Sequence, residues 1–174
     1  MMIEKYGIKL RFVEIDDAEF ILSLRLNEKL GRYISPTEHD LTKQIEWIKS
    51  YKKREAQNSE FYFLTLDKNG NKQGLCRIYD FNETSFEFGS WLFSPDAPKG
   101  VAILSNLCAI DYGFEIFKCE ICRININKQN NKVLKYCNSF EAIITHEDDS
   151  TLYFDLYFDK YIKQHDKLIK VLKK

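Results

Sequence analysis

The chain has 174 residues, of which 44% are hydrophobic and 14% aromatic, and its 26 Lys and Arg side chains balance its 26 Asp and Glu side chains. This length and composition predict one domain with a sizeable core, and the absence of a basic excess argues against nucleic acid as a partner. No secretory signal and no apolar stretch long enough to cross a membrane is visible, so we expect a cytoplasmic protein with no membrane partner.

Five cysteines are present, an odd number in a chain without an export signal, which predicts free thiols rather than a disulfide framework. Cys119 and Cys122 form a C-x-x-C pair, but no second pair and no nearby histidine completes a zinc site. The pair also lies between a predicted helix and a predicted strand, whereas a redox pair normally begins a helix. We therefore expect no metal site and no redox centre.

The first third of the chain predicts one strand and two helices. Alternating apolar residues indicate a short strand over 9–13, and two aspartates precede an apolar-periodic helix over 18–27. A glycine and a proline within 28–40 mark a loop. Asp40 is placed to cap a second helix, which the polar run 52–60 ends.

Three strand-like segments follow and predict an antiparallel meander. They cover 61–66, 72–81 and 85–93, and Asn69-Gly70 between the first two is a hairpin-turn signal. The last strand breaks at two prolines and a glycine and leads into a long apolar helix. One stripe of this helix repeats at helical spacing and predicts burial against the sheet. Its members are Ile103, Leu107, Ile110, Phe114 and Phe117.

The remainder of the chain predicts a strand, a short helix, two further strands and a helical tail. The strand covers 122–127, and Asn130 is placed to cap the short helix. Segments 141–146 and 151–158 alternate as strands around a turn, and the tail 158–174 is amphipathic.

The order of elements, β-α-α-β-β-β-α-β-α-β-β with a helical tail, indicates an α+β fold. We expect a single domain over residues 1–174 whose mixed central sheet carries helices on both faces. An edge strand or the C-terminal tail leaves room for a homo-oligomer, although no residue pattern demands one.

The kinked loop before the long helix has a composition that suits a phosphate. The first N–H groups of a helix are unpaired and carry partial positive charge, and a phosphate satisfies both properties. Gly100 has no side chain to block a close approach, Pro98 pre-sets the turn, and Lys99 adds charge. An ordinary strand-to-helix turn is the alternative for this stretch taken alone.

The order of elements resembles the GNAT acetyltransferase superfamily over nearly the whole chain. Ala97–Ala102 occupies the place of the family's R/Q-x-x-G-x-G/A loop, and Asn130–Ala142 resembles its later N-x-x-A-x-x-L-Y-x-x-x-G-F segment. The segments LSLRLNEKLGRYIS, QIEWIKSYKKRE, CRIYDF and FGSWLFSPDAP resemble a subgroup found with bacterial surface-polysaccharide genes. The chain departs from the pattern because Gly100 is the loop's one glycine, Glu141 replaces a glycine, and Cys137 takes the tyrosine position.

The resemblance implies an enzyme that transfers acetyl from acetyl-CoA to an amine and needs no metal. The subgroup implies, as the acceptor, the amino group of a nucleotide-linked dideoxy amino sugar of lipopolysaccharide or related biosynthesis. The amine would attack directly, without a covalent acyl-enzyme. A protein N-terminus or a small amine is one alternative acceptor, and a non-catalytic CoA-binding module on the same scaffold is a second alternative.

The resemblance also implies where acetyl-CoA binds. The strand before the loop and the strand 122–127 would lie parallel and splay apart, and the CoA arm would pair with the free edge of the first strand. An N–H near Leu92 or Phe93 would then face the thioester carbonyl as an oxyanion donor. The expected cofactor-binding residues are Leu92, Phe93, Pro98, Lys99, Gly100, Val101, Ala102, Asn130 and Val133.

Acyl transfer to an amine needs a base for the amine and an acid for the departing thiolate, and a weak acid suffices for a thiol. Cys137 is the expected acid because it takes the family position, and Tyr136 is the runner-up. An ordinary buried apolar role on the short helix is the alternative for Cys137.

Glu87 is the first candidate for the base, because strand alternation places it on one face with Gly89 and Trp91. A carboxylate on the face of the reaction centre would accept the proton through water. Asp80 is the second candidate and His39 the third, although a turn residue and a loop residue are their ordinary roles.

The acceptor site is expected in the early helices and their loop. Arg32 would grip a nucleotide phosphate, and Tyr33 beside it would stack on a base or a sugar. Tyr79 and Trp91 would add stacking surfaces, and His39 lies in a loop that would line the acceptor pocket.

Overall fold

The computed structural model describes residues 1–172, which form one eight-stranded sheet and five α-helices. The strands are β1 (Met2–Lys5), β2 (Ile8–Phe12), β3 (Glu60–Leu66), β4 (Lys72–Tyr79), β5 (Ser85–Phe93), β6 (Ile121–Asn127), β7 (Ile143–Glu147) and β8 (Thr151–Tyr157). The helices are α1 (Ala18–Leu26), α2 (Leu41–Ala56), α3 (Val101–Phe117), α4 (Asn131–Asn138) and α5 (Phe158–Leu172).

The strands lie in the order β1-β2-β3-β4-β5-β6-β8-β7, and every neighbouring pair is antiparallel except the parallel pair β5 and β6. The predicted meander is therefore present as β3, β4 and β5. Two features are absent from the sequence-based prediction: the short strand β1, and the insertion of β8 between β6 and β7. The predicted α+β fold with a mixed sheet is confirmed.

Helices cover both faces of the sheet. Phe63 and Leu64 are neighbours on β3 and point to opposite faces, as strand alternation requires, and both are fully buried. On one face Leu64 packs in a cluster with Ile48 of α2. On the other face Phe63 packs in a cluster with Leu107 of α3, which continues to α5.

Both predicted helix caps are present. The Asp40 carboxylate accepts hydrogen bonds from the backbone N–H groups of Thr42 and Lys43, at 2.9 and 3.2 Å, where α2 begins. The Asn130 side chain accepts one from the Val133 N–H at 3.4 Å, where α4 begins. Each cap fixes the point at which a loop beside the central strands ends.

The sheet splits along the line between β5 and β6. Their parallel pairing runs only from Ser85 opposite Ile121 to Phe88 opposite Ile124. Beyond Phe88, β5 keeps its pairing with β4 on the other side. The two strands therefore diverge and leave two facing edges without sheet partners, as predicted for the cofactor entrance.

A β-bulge lies on β5 at the split. Between two paired positions β5 has one residue more than β4, and Ser90 within this interval has a φ of 49°. The extra residue interrupts the alternation of side chains. Trp91 consequently lies on the α3 face, with its ring 6.1 Å from that of Phe88, while Glu87 points to the opposite face. The prediction that Trp91 shares a face with Glu87 is wrong for this reason.

A buried polar cluster fixes α5 against α3 and the turn between β1 and β2. The Asp111 carboxylate accepts hydrogen bonds from the hydroxyls of Tyr6 and Tyr161, at 2.5 and 2.7 Å, and pairs with Lys5 at 2.7 Å. The Tyr6 hydroxyl also lies 2.7 Å from Nε2 of His165. Because a buried carboxylate is costly unless it is paired, these contacts hold the three segments together.

The far end of α5 reaches the loop before α3. The side chain of Leu172 lies 3.0 Å from the position that a Cβ on Gly100 would occupy. Helix α5 thus follows the predicted tail helix from residue 158 to 172, and residues 173–174 of that prediction lie outside the described residues. The end of the C-terminal helix therefore packs beside Gly100 in the loop that is predicted to bind phosphate.

The other sequence features form no separate site within residues 1–172. All five cysteines are buried free thiols. No group of three His, Cys, Asp or Glu side chains in this part of the chain could hold a metal ion. None of its helices is both long and apolar enough to cross a membrane.

Candidate active site

The loop between β5 and α3 ends in a left-handed glycine. Gly100 has a φ of 87° and immediately precedes the first helical residue, Val101. The Val101 N–H donates to the Pro98 carbonyl at 3.1 Å, whereas within residues 1–172 the N–H groups of Ala102 and Ile103 have no hydrogen-bond partner. These two donors, at the positive end of α3, form the kind of site that binds a phosphate.

Two connected openings follow the split between β5 and β6. The outer groove, of about 1130 Å³, is lined by residues within 27–33, 91–95 and 129–132. The central cleft, of about 290 Å³, lies between 88–92 of β5 and 124–127 of β6. Tyr33, Trp91 and Asn130 are among the residues that line both openings, so the groove leads directly into the cleft.

A third opening, the inner cavity, approaches the split from the other side. It has a volume of about 300 Å³ and lies beneath α1 and α2 and the loop 35–40. Ser35, Arg77 and Ser90 line both this cavity and the central cleft. Ligands that enter by the outer groove and by the inner cavity would therefore meet beside the bulge on β5.

Glu87 does not line the central cleft itself but is hydrogen-bonded to two residues that do. Its carboxylate accepts hydrogen bonds from the Tyr79 hydroxyl and, at 2.5 Å, from Nδ2 of Asn125, and both partners line the cleft. Burial and the neighbouring carboxylate raise the pKa of Tyr79 to about 12, so its hydroxyl stays protonated and donates to Glu87. Tyr79, expected as a stacking surface, lines the cleft and is also hydrogen-bonded to the candidate base.

Asp80 and His39 adjoin residues that line the openings, but neither residue is part of a lining itself. Asp80 has a φ of 52° after β4, and its exposed carboxylate pairs with Arg123 at 2.8 Å. His39 is exposed in its loop, and neither residue lines any of the three openings. The described contacts therefore add no support to either residue as the base or to His39 as part of the acceptor pocket, and both roles stay predictions.

Tyr136 and Cys137 occupy different environments on α4. Cys137 is buried with Ile126 and Phe154, and burial raises the pKa of its thiol to about 12. The Tyr136 ring lies 5.3 Å from that of Trp91, which lines the central cleft, and burial raises the pKa of its hydroxyl. The Tyr136 hydroxyl donates to Oδ1 of Asn106 at 2.6 Å, and neither Tyr136 nor Cys137 lines the three openings. The contact of Tyr136 with Trp91 makes it the nearer of the two to the cleft, and the acid role of either residue stays a prediction.

Three predicted acceptor residues lie on the outer-groove side. The guanidinium of Arg32 lies over the Tyr33 ring at 5.3 Å, and the Tyr33 hydroxyl donates to the Gln129 carbonyl at 3.2 Å. Trp91 Nε1 donates to the Ala102 carbonyl at 3.0 Å. The three residues line the outer groove and not the inner cavity, so their predicted role in acceptor binding depends on which opening the acceptor enters.

The predicted cofactor residues divide into two groups. Leu92, Phe93, Asn130 and Val133 line the outer groove or the central cleft. The other five residues form the loop and the first turn of α3, outside the lining of the three openings: Pro98, Lys99, Gly100, Val101 and Ala102.

Sequence reasoning missed the polar groups of the inner cavity. Arg25, Tyr62 and Arg77 line it, together with Trp47. Burial raises the pKa of the Tyr62 hydroxyl to about 12, and the nearby Arg25 guanidinium opposes this effect. One signal could have indicated Arg25, namely that it is the one basic residue in the mainly apolar stretch AEFILSLRLN.

Residues 8–139 match the acetyltransferase (GNAT) domain family. Spermidine N(1)-acetyltransferase of Escherichia coli K12 is 27% identical over 149 residues, which are 82% of this chain and 78% of that protein. FdhC, a nucleotide-linked sugar GNAT solved in its apo form, has a similar structure, with a TM-score of 0.85 and 34% identity over 96% of both chains. A further similar structure is spermidine N-acetyltransferase from Vibrio cholerae in complex with CoA and spermine, with a TM-score of 0.76 over 91% of this chain and 99% of that chain. Because the two chains are only 21% identical, this similarity concerns the fold alone.

These similarities agree with the geometry of the site. The parallel pair that parts at Phe88 and the helix that begins after Gly100 lie where the sequence resemblance expected them. The family match covers most of the chain, and the similarity to FdhC extends over nearly all of it. The chain belongs to the GNAT acetyltransferase family and is an N-acetyltransferase of that type.

Proposed function

We propose that the protein transfers acetyl from acetyl-CoA to the amine of a nucleotide-linked dideoxy amino sugar. The observation that carries this proposal is the positive character of the inner cavity, which opens onto the split between β5 and β6. Three basic residues, Arg25, Arg77 and Lys43, line it against two acidic ones, of which Glu38 pairs with Lys43 and Asp40 caps α2. Arg25 pairs with no carboxylate of residues 1–172 and Arg77 shares the Glu60 carboxylate with Arg54, and the charge of the two arginines suits an acceptor that carries phosphate.

Acetyl-CoA would enter by the outer groove. Its pyrophosphate would bind the free N–H groups at the start of α3, and its pantetheine arm would pair with the edge of β5 beyond Phe88. Backbone N–H groups near Leu92 would stabilise the oxyanion, an interaction worth about 2.7–4 kcal/mol in other acyl-transfer enzymes. This route uses backbone donors, so few side chains are needed to specify it.

The acceptor amine would reach the thioester beside the bulge. Its lone pair forms the new C–N bond, the C–S bond breaks, and the amine loses one proton while the CoA thiolate gains one. Glu87 would receive the amine proton through water or through the Tyr79 hydroxyl, which already donates to it. Tyr136 would supply the proton to the thiolate from the α4 side.

A polyamine acceptor is the second candidate, favoured by the 27% identity to spermidine N(1)-acetyltransferase of Escherichia coli. A polyamine carries several positive charges and would need free carboxylates. Glu28 in the outer groove and Glu87 behind the cleft are carboxylates near the split, whereas in the inner cavity Glu38 pairs with Lys43 and Asp40 caps α2 beside two arginines. Two further hypotheses are a peptide N-terminus as the acceptor and a CoA-binding module without turnover.

Release of the CoA thiol from acetyl-CoA tests the proposal with a panel of acceptors. We expect turnover with UDP- or dTDP-linked amino sugars and at least a hundredfold lower kcat/KM with spermidine or an N-terminal peptide. Turnover confined to spermidine would transfer the assignment to the second candidate. Acetyl-CoA binding without thiol release from any acceptor would favour the non-catalytic module.

Substitution of Gly100 by alanine tests the phosphate loop. The positive φ disfavours any side chain, and the new Cβ would lie 3.0 Å from Leu172. We expect the free energy of unfolding to fall by about 1–2 kcal/mol from strain, and the KM for acetyl-CoA to rise about tenfold because a Cβ hinders the approach of phosphate. Steady-state kinetics and urea unfolding measure the two effects.

Gly70→Ala is the matched control for this prediction. Gly70 has the same φ of 87° but lies in the turn between β3 and β4, and nothing lies within 4 Å of its Cβ position. Its alanine variant should lose a similar amount of stability and keep the KM for acetyl-CoA. An unchanged acetyl-CoA KM in Gly100→Ala would exclude the loop as the phosphate site.

Four single variants test the proton transfers through kcat. Glu87→Gln should lower kcat by roughly a hundredfold or more, in the range of general base catalysis. Tyr79→Phe should cause a smaller loss, because it removes one hydrogen bond to Glu87 and leaves the carboxylate. Tyr136→Phe should lower kcat, whereas Cys137→Ala should leave it near the wild-type value, because Cys137 lies in a closed core.

The pH dependence of kcat separates proton transfer from folding effects. Loss of the base should remove the acidic limb of the profile for Glu87→Gln while the melting temperature stays close to that of the wild type. A Cys137→Ala variant that is folded but inactive would restore Cys137 as the acid. A fully active Glu87→Gln variant would remove Glu87 from the mechanism.

A further inference from the structure

Arg25 is an arginine near the end of α1 whose partners are all neutral. Its Nε donates to Oγ1 of Thr37 at 2.7 Å, and one terminal nitrogen lies 3.2 Å from the Ser35 carbonyl and 3.0 Å from its hydroxyl. No described carboxylate in residues 1–172 lies within ion-pair distance of this guanidinium. A half-buried guanidinium without an anion is unusual, because burial of an unpaired charge costs free energy.

The same cavity holds two buried polar atoms without partners. Tyr62 is 1% exposed, and its buried hydroxyl makes no hydrogen bond of good geometry within residues 1–172, although the Arg25 guanidinium lies close enough to oppose the rise in its pKa. Arg77 Nε is also buried without a partner in this part of the chain. Buried polar groups are rarely left unpaired in native proteins, and a ligand that completes them is an ordinary explanation. Arg25, Tyr62 and Arg77 all line the inner cavity, so the three observations meet at one place.

The positive charge of Arg77 is also incompletely balanced. Its terminal nitrogen lies 3.3 Å from the Glu60 carboxylate, which is shared with Arg54 at 2.6 Å. Two guanidinium groups therefore share the single negative charge of the Glu60 carboxylate. The Arg77 guanidinium lies over the rings of Tyr79 and Trp47, at 3.9 and 5.8 Å, and these contacts hold it in a fixed position at the cavity wall.

We propose that Arg25, with Arg77 beside it, is the specificity determinant that binds the diphosphate of the acceptor in the inner cavity. This inference rests on the proposed function and names the group that selects the acceptor. A guanidinium presents paired donors that match phosphate oxygens, and hydrogen bonds between charged groups are the stronger ones. The loop 35–37, which Arg25 already holds, would form the rim around the bound diphosphate.

Two consequences follow for the choice of acceptor. An amino sugar that lacks the nucleotide should bind poorly, because it has no group for Arg25 and Arg77. Inorganic pyrophosphate should compete with the nucleotide-linked sugar, and it should compete less with acetyl-CoA, whose own pyrophosphate binds at the start of α3. The same two arginines would repel a polyamine.

Steady-state kinetics with three probes test this inference. The probes are a UDP- or dTDP-linked amino sugar, the methyl glycoside of the same amino sugar, and inorganic pyrophosphate as inhibitor. In Arg25→Gln we expect the KM for the nucleotide-linked sugar and the Ki for pyrophosphate to rise at least tenfold. The kcat, the KM for acetyl-CoA and the kcat/KM for the methyl glycoside should change less than threefold.

Lys49→Gln is the control for loss of a positive charge. Lys49 is exposed on α2, pairs with Glu46 and lines none of the openings, so all constants should stay at wild-type values. Arg25 also holds the loop 35–37 by hydrogen bonds. If Arg25 had only this structural role, Arg25→Gln would raise the KM for acetyl-CoA and lower the melting temperature together. Arg25→Lys, which keeps the charge and loses the paired donors, should give an intermediate KM.

The outcomes separate this inference from the proposed function. Wild-type turnover of nucleotide-linked sugars with an unchanged KM in Arg25→Gln would overturn the role of Arg25 and leave the proposed function intact. Wild-type turnover of spermidine alone would overturn the proposed function. If neither Arg25 variant folds, pyrophosphate inhibition of the wild-type enzyme decides: competition with the nucleotide-linked sugar supports the inference, and its absence overturns it.

Discussion

The parting of β5 from β6 is the constraint on which the whole site depends. Sheet pairing ends where Phe88 lies opposite Ile124, and the bulge at Ser90 adds a residue just beyond this point. Backbone groups freed from a sheet partner need another hydrogen-bond partner, and the pantetheine arm of CoA offers the amide groups to supply one. The outer groove and the inner cavity both open at this break, so one local defect in the sheet creates a passage with two entrances.

The surrounding elements keep the defect in place. The cluster around Asp111 fixes α5, and Leu172 at the end of that helix contacts the loop before α3. The formal net charge of the chain is zero, but its charges are distributed unevenly around the inner cavity. Arg25 has neutral partners and Arg77 shares its carboxylate, so the inner cavity presents positive charge that the overall composition conceals.

The sequence predicts those features that depend on local pattern. The meander, the caps at Asp40 and Asn130, the long α3 and the glycine before it all follow from periodicity or from backbone chemistry. The bulge cannot be predicted in this way, because the residues around Ser90 have the pattern of an ordinary alternating strand. The sequence-based prediction therefore misses the orientation of Trp91. The order of β7 and β8 in the sheet is likewise beyond local pattern, because pairing partners are chosen by the whole sheet.

The site itself is less predictable, because its contacts join distant segments. The hydrogen bond between Asn125 and Glu87 links β6 to β5, and the inner cavity brings Arg25 of α1 beside Tyr62 of β3. The most direct measurement is a crystal structure with both CoA and a nucleotide-linked amino sugar bound. We expect the CoA sulfur in the central cleft beside Ser90, with the sugar diphosphate in the inner cavity within hydrogen-bond distance of Arg25. Both ligands in the outer groove, with the inner cavity empty, would contradict an enzyme whose two substrates enter from opposite sides.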